Sequence, residues 1–168
     1  NISNNPSLEN DDWNLFCSSD LGICNGCSHP DHDALVALYE AMEGESWGNK
    51  TGWEDADTSC DPCQDQWYGV VCNSNDRVSG LNLNNNDLKG EIPAQISELT
   101  ELEFLRFNAD QISGVIPNEM GDLLNLELLS LSGLELDGRI PESLVNLTKL
   151  NTLNLSGNNF NFTIPSFL

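Results

Sequence analysis

Four zinc-compatible side chains, Cys24, Cys27, His29 and His32, stand within nine residues as C-x-x-C-x-H-x-x-H. Thiolates and imidazoles at a tetrahedral centre would hold Zn²⁺, but one residue between the two pairs is a shorter spacer than such sites use. Cys24-x-x-Cys27 and Cys60-x-x-Cys63 also imitate a thiol redox motif, yet neither stands in a βαβ pattern. A structural role fits better. The six cysteines, Cys17, Cys24, Cys27, Cys60, Cys63 and Cys72, are an even set gathered in the amino-terminal part of the chain, as expected when disulfides staple one end of a secreted protein.

Carboxylates are the most abundant reactive groups, with 27 Asp and Glu against 6 Lys and Arg and a net charge of -21. Abundance gives no pair of them weight as an acid/base site. Asp55, Asp57, Asp61 and Asp65 offer hard oxygen ligands for Ca²⁺, but without the ordered spacing of a calcium loop. No cofactor is therefore assigned. Nucleophile elbow, phosphate loop and H-E-x-x-H motifs are absent from the sequence, and an enzyme is not expected. Such an acidic surface repels phosphate backbones and anionic lipid, which argues against nucleic acid as a partner. No apolar run approaches the ~18 residues of a membrane span, so direct membrane insertion is not expected either.

Asn1, Asn49, Asn146, Asn154 and Asn161 each begin an Asn-x-Ser/Thr sequon with no proline at the middle position. With the cysteines they point to a secreted or extracellular glycoprotein carrying N-linked glycans. Asn49 is the first choice for occupancy. The first residue is Asn1, so a targeting segment is expected to have been removed or left out.

These groups are carried by a repeat. Ile92-Pro93, Ile116-Pro117, Ile140-Pro141 and Ile164-Pro165 recur every 24 residues. Three full turns begin at Gly90, Gly114 and Gly138, a degenerate copy with Val78, Leu81, Leu83, Asn86 and Leu88 precedes them, and another begins at Phe162. Inside each turn the pattern L-x-x-L-x-L-x-x-N, as in Leu150, Leu153, Leu155 and Asn158, predicts a short alternating strand followed by a bend. Such turns bury their leucines against one another, giving a solenoid with one continuous spine through Leu105, Leu129 and Leu153. Asn86 and Asn158 stand where a side-chain amide can bond the unpaired backbone of the bend. Asp110 and Leu134 replace that asparagine in the middle turns, which predicts local irregularity there. Proline after Ile predicts a non-helical arc on the convex side.

The consensus L-x-x-L-x-x-L-x-L-x-x-N-x-L-x-G-x-I-P is matched from Leu99 to Pro117, Leu123 to Pro141 and Leu147 to Pro165, and in these residues the chain resembles plant-type leucine-rich-repeat proteins. Upstream, a helix from about Asp31 to Met42 with Leu35, Val36, Leu38 and Tyr39, then Trp47, Trp53 and Trp67, and C-x-x-x-W-x-G-V-x-C from Cys63 to Cys72, is similar to the amino-terminal cap of that family, in a form common among algal and other protist members. Asp31 or Asp33 is placed to begin the helix as a cap residue. The resemblance implies an α/β solenoid, a right-handed superhelix with short parallel strands on its concave face and a disulfide-bonded helical cap. It implies a Cys63–Cys72 bridge; the other four cysteines keep three pairings open. The expected division is an extension over 1–30, a cap over 31–76, and repeats over 77–168, about four turns and the start of a fifth.

The family resemblance moves function from a cleft to a surface. Strand residues flanking the buried leucines are expected on the concave face: Gly80, Asn82, Asn84, then Phe104, Arg106, Asn108, then Leu128, Ser130, Ser132, and Thr152, Asn154, Ser156. Among them Phe104, Arg106 and Leu128 have the aromatic, guanidinium and apolar character that interfaces favour. The expected function is non-catalytic extracellular protein–protein recognition, with a protein or peptide as partner. The alternative is a structural subunit of a secreted fibre or cell-surface matrix. Copies of the chain would then assemble head to tail through an uncapped carboxyl end, with Leu153, Leu155, Phe160 and Phe162, and an amino-terminal arm bearing Ile2, Leu8, Trp13, Leu15 and Phe16.

Overall fold

Each period folds as one coil. The computed structural model describes residues 29–54 and 60–161. The expectations placed on Asn1, Trp13, Cys17, Cys24, Cys27, Asp55, Asp57 and the turn from Phe162 onward lie outside them.

A five-stranded sheet has the order β1 (Val70–Cys72), β2 (Val78–Asn82), β4 (Phe104–Arg106), β6 (Leu128–Ser130) and β8 (Thr152–Asn154). The last four are parallel, one per coil, and their register sets Leu81 beside Leu105, Leu105 beside Leu129, and Leu129 beside Leu153. Alternation along a strand sends these leucines inward and their neighbours outward. Leu81, Leu105 and Leu129 are fully buried, and Leu153 packs partly buried on the same core. Each fully buried leucine contributes about 1.5–3 kcal/mol, so the expected spine is present and carries the fold.

The rest of the coil is more ordered than the sequence pattern implied. A second parallel sheet joins β3 (Lys89–Glu91), β5 (Gln111–Gly114) and β7 (Glu135–Leu136). After each proline the chain enters a 3-10 helix, Ala94–Glu98, Asn118–Asp122 and Glu142–Asn146, which corrects the expected non-helical arc. Pro93, Pro117 and Pro141 occupy the extended residue before the first turn, where a missing N–H removes no helical bond. Ile96, Met120 and Leu144 then bury the inner face of these helices. Gly90 has φ of 78°, and a Cβ there would run into the Ala41 carbonyl, so glycine lets the cap helix settle on the second sheet.

The irregularity expected at Asp110 is not found, because its carboxylate does the accepting half of an asparagine's work. Asp110 Oδ1 accepts the N–H groups of Asn86 at 2.9 Å and Leu88 at 3.1 Å. Asn158 Oδ1 accepts Leu136 N–H at 3.1 Å, while its Nδ2 donates to the carbonyls of Leu131 and Leu155. Asn86 instead ties the first coil to the cap, donating to Asn49 O and accepting Asn49 N–H. Leu134 fills its place as a buried apolar side chain.

Helix α1 (His32–Ala41) covers the first coil with Leu35 and Leu38. Asp31 stands before it but makes no side-chain cap; its carboxylate turns away to Arg77 and to Val78 N–H. Asp33 does not cap it either, since its exposed carboxylate meets His32 Nδ1 at 3.1 Å. Trp47, Trp53 and Trp67 are buried in one aromatic cluster with Tyr39, neighbouring ring centroids lying 5.0 to 5.2 Å apart along the chain of tryptophans and tyrosine. Strand β1, which the sequence pattern did not reveal, pairs antiparallel with β2 and carries Cys72 to its bridge with Cys63.

Candidate recognition face

The outward side of the five-stranded sheet presents three rows of side chains, fixed by the parallel register. Gly80, Phe104, Leu128 and Thr152 form the first, and Asn82, Arg106, Ser130 and Asn154 the second. Asn84, Asn108, Ser132 and Ser156 follow where the chain leaves the strands. Phe104, Arg106 and Leu128 are each partly exposed, as a residue must be to meet a partner.

Phe104 owes its posture to Gly80. Its ring lies across β2 over the glycine, in space that any Cβ at position 80 would fill. Glycine inside a strand marks such a close approach, and this was the available sequence signal for it. The Arg106 guanidinium sits 5.4 Å from the centre of the same ring, a separation at which a cation is attracted to the aromatic face. Among the described residues Arg106 makes no ion pair, whereas Arg77 is held by Asp31 and Lys50 by Glu45. A guanidinium set on an apolar plate, with Leu128 beside it, has donors left for a carboxylate or carbonyl.

Not every residue expected on this face is free to recognise anything. Asn84 Oδ1 accepts Asn108 N–H at 3.0 Å and Asn108 Nδ2 at 2.8 Å. Asn108 Oδ1 in turn accepts from Ser130 Oγ, Ser132 N and Ser132 Oγ at 2.7 to 2.9 Å. Asn84, Asn108 and Ser130 therefore form a second ladder that locks successive coils together. Asn82 and Asn154 are exposed, and Asn154 Oδ1 accepts from Ser156 N and Oγ.

The other singled-out residues fall apart in space or are already engaged. His29 Nε2 donates to Asp76 O at 2.7 Å, and Nδ1 accepts Asp31 N–H, which fixes the tautomer of the ring. His29, Asp61 and Cys63 approach one another as a metal site would, but the Cys63 sulfur is committed to Cys72 and Asp61 Oδ1 accepts the N–H groups of Cys63 and Gln64. His32 packs edge-on against Trp67 instead of joining His29. Cys60 is also disulfide-bonded. Of the sequon asparagines, Asn49, Asn146, Asn154 and Asn161 are exposed. Asn49 Oδ1 accepts both the N–H and the hydroxyl of Thr51.

Arg77 and Asp110 are among the titrating groups displaced by their surroundings. Hydrogen bonding to Asp31 raises Arg77 above its ordinary value. Burial raises the carboxyl of Asp110, against the opposing pull of the Leu88 and Asn86 N–H groups.

The leucine-rich-repeat family model matches residues 77–99, 125–147 and 149–168. A leucine-rich repeat receptor-like protein kinase of Arabidopsis thaliana is 42% identical over 77 residues, 45% of this chain but only 7% of that protein. Among solved structures, the BIR2 ectodomain of Arabidopsis thaliana superposes with a TM-score of 0.60 at 30% identity, covering 77% of this chain and 68% of that one. A plant ice-binding protein gives 0.71 at 30% identity, covering 84% and 44%. The plant peptide hormone receptor RGFR1 in complex with RGF2 gives 0.55 at 34% identity, covering 60% and 19%. The chain thus spans a small part of the receptor kinases it matches, and that part is repeat, not kinase.

Proposed function

From the premise that the chain is a leucine-rich-repeat domain of the plant type, similar to the ectodomains of plant receptor kinases, we propose that it is a non-catalytic extracellular module that recognises a peptide or protein segment. The segment lies across the outward face of the five-stranded sheet, anchored at Phe104, Arg106 and Leu128. One observation carries the reading. In a chain of net charge -21, this face holds a guanidinium that makes no ion pair among the described residues and lies 5.4 Å over a ring that is itself seated on a glycine.

The relatives supply the class of partner. One of them is a peptide hormone receptor, and another is an ice-binding protein, so the shared fold alone does not select the ligand. Side chains do. The sheet rows here are mixed aromatic, cationic and amide, a composition suited to a peptide's varied groups. Four parallel strands at ~4.8 Å spacing give a face only about 15–20 Å across, which suits a short extended segment more than the wrapping of a large protein.

Secretion and N-glycosylation, first at Asn49, belong to the same proposal and rest on the bridged cysteines, the exposed sequon asparagines and the extracellular setting of the relatives. Asn154 is the sequon residue on the recognition face, so a glycan there would border the ligand's path.

The test is a binding screen of the glycosylated protein against a panel of secreted peptides and receptor ectodomains, run beside Phe104→Ala and Arg106→Ala. Partners that bind the parent protein and lose about tenfold or more in affinity with either variant support the reading. Partners that bind all three proteins equally remove this face from the account. Light scattering on the same material separates the alternative of head-to-tail assembly, which would give a mass rising with concentration.

A further inference from the structure

The two ladder positions Asp110 and Asn158 are structurally equivalent. Each Oδ1 accepts a backbone N–H from 22 residues back, Leu88 for Asp110 and Leu136 for Asn158, both at 3.1 Å. The second atom of the Asn158 side chain, Nδ2, donates to Leu131 O, 27 residues back, and to Leu155 O, three back. The corresponding carbonyls for Asp110 are those of Leu83 and Phe107. In place of an N–H donor, Asp110 has Oδ2 as its second side-chain atom, which is buried and has no hydrogen-bond partner among the described residues. The whole residue is 7% exposed.

An ionised carboxylate here would leave Oδ2 a charged acceptor without a hydrogen bond, away from water, although the backbone N–H groups of residues 85–88 favour the ionised form. That arrangement is costly twice over, through desolvation and through an unmade bond. A proton on Oδ2 removes both costs, because the neutral acid has one O–H donor and keeps Oδ1 as acceptor for Asn86 and Leu88. We infer that Asp110 is a proton-binding site built into the coil ladder: in the folded protein its carboxyl takes up a proton on Oδ2 and donates it to the backbone carbonyls of Leu83 or Phe107, as the amide of Asn158 does two coils on.

Burial as the dominant influence on this carboxyl points the same way. The ionisable groups on the elements around it are Asp87 and Lys89 on the preceding coil, Lys50 on the cap loop bonded to Asn86, and Glu135 on the following coil. Asp87 and Glu135 are exposed, Lys50 is held by Glu45 and Glu54, and Asp110 makes no ion pair among the described residues. Neither Lys50 nor Lys89 is paired with this carboxyl among the described residues. The bend whose N–H groups Asp110 accepts, at Asn86 and Leu88, belongs to the preceding coil, so the carboxyl ties that coil to its own.

The sign of the linkage is fixed. A carboxyl raised above its unfolded value binds its proton more tightly in the folded state, so its contribution is complete below the unfolded value and is lost as pH rises through the folded one. Asp110→Asn replaces the proton by a permanent amide donor. Urea unfolding of parent and variant across about pH 4 to 8 tests this, because the other carboxylates are common to both proteins and cancel in the ratio of unfolding constants. The parent-to-variant ratio should rise by about tenfold per pH unit above the unfolded value and then level off, leaving the asparagine form the more stable at neutral pH. A ratio independent of pH, or one that falls as pH rises, overturns the inference. Should the variant not fold, the ¹³C shift of the Asp110 carboxyl in the parent protein decides: titration above the ordinary aspartate range supports the site, and titration within or below it overturns it.

Discussion

The Arg77 guanidinium clasps the Asp31 carboxylate through Nε at 3.0 and 3.1 Å and Nη2 at 2.6 Å. Asp31 precedes α1 and Arg77 precedes β2, so the pair clamps together two elements far apart in sequence. Its geometry is tight because Asp31 Oδ2 also accepts Val78 N–H at 2.7 Å, the first donor of β2. One carboxylate thereby satisfies a buried strand end and a guanidinium together.

Asp31→Ala should consequently be among the most damaging single changes. Removing one member of a buried pair costs about 3–5 kcal/mol, and the partial exposure of Arg77, 26% at the side chain, puts the expectation at the lower end. The midpoint of urea unfolding measures it, with Arg77→Lys as a milder companion that keeps charge but loses the fork. A change below about 0.5 kcal/mol, the range of ordinary surface substitutions, would show that the clamp is not holding the cap.

Asn86→Ala removes the two bonds to Asn49 that tie the first bend to the cap loop. Leaving the Asn49 N–H and carbonyl without these partners should cost about 1–3 kcal/mol. Hydrogen exchange at Asn49 should speed up selectively, while the amides of β6 and β8 keep their protection. Uniform loss of protection along all coils would contradict this local assignment.

Two glycines separate backbone strain from collision. Gly133 has φ of 67° and nothing nearer than 3.7 Å to an added Cβ, so Gly133→Ala should cost only the left-handed penalty of about 1–2 kcal/mol. Gly90 has φ of 78° and faces the Ala41 carbonyl, so Gly90→Ala should cost clearly more and disturb the end of α1. Thermal unfolding of the two variants side by side gives the comparison. Equal shifts would mean that the cap helix yields without resistance.

Arg106→Ala should leave stability within about 0.5 kcal/mol, since its partly exposed side chain makes no ion pair among the described residues. Gly80→Ala should act differently, evicting the Phe104 ring from its seat while leaving Arg106 present. If recognition needs the stacked pair, both variants lose a common partner; if only the guanidinium matters, Gly80→Ala retains it. Parallel binding and denaturation curves distinguish these outcomes.

The sequence alone determined the coil. Leucines two apart on a strand, repeated every 24 residues, leave a chain no better way to bury apolar surface than against its own next copy. That is why the spine through Leu105, Leu129 and Leu153 was legible beforehand, whereas the cap helix near His32–Ala41 with its tryptophans and the Cys63–Cys72 bridge were implied by the resemblance to a known cap. Tertiary structure alone decided what the polar residues do. Whether Asp31 caps a helix or grips Arg77, whether Asn84 and Asn108 face a ligand or each other, and how Asp110 replaces an asparagine depend on which groups the stacking brings within about 3 Å. The 3-10 helices after the prolines and the second sheet leave no mark in the sequence pattern for a related reason. Their short segments carry too few apolar positions to show a period, and it is packing against neighbouring coils that holds them in shape.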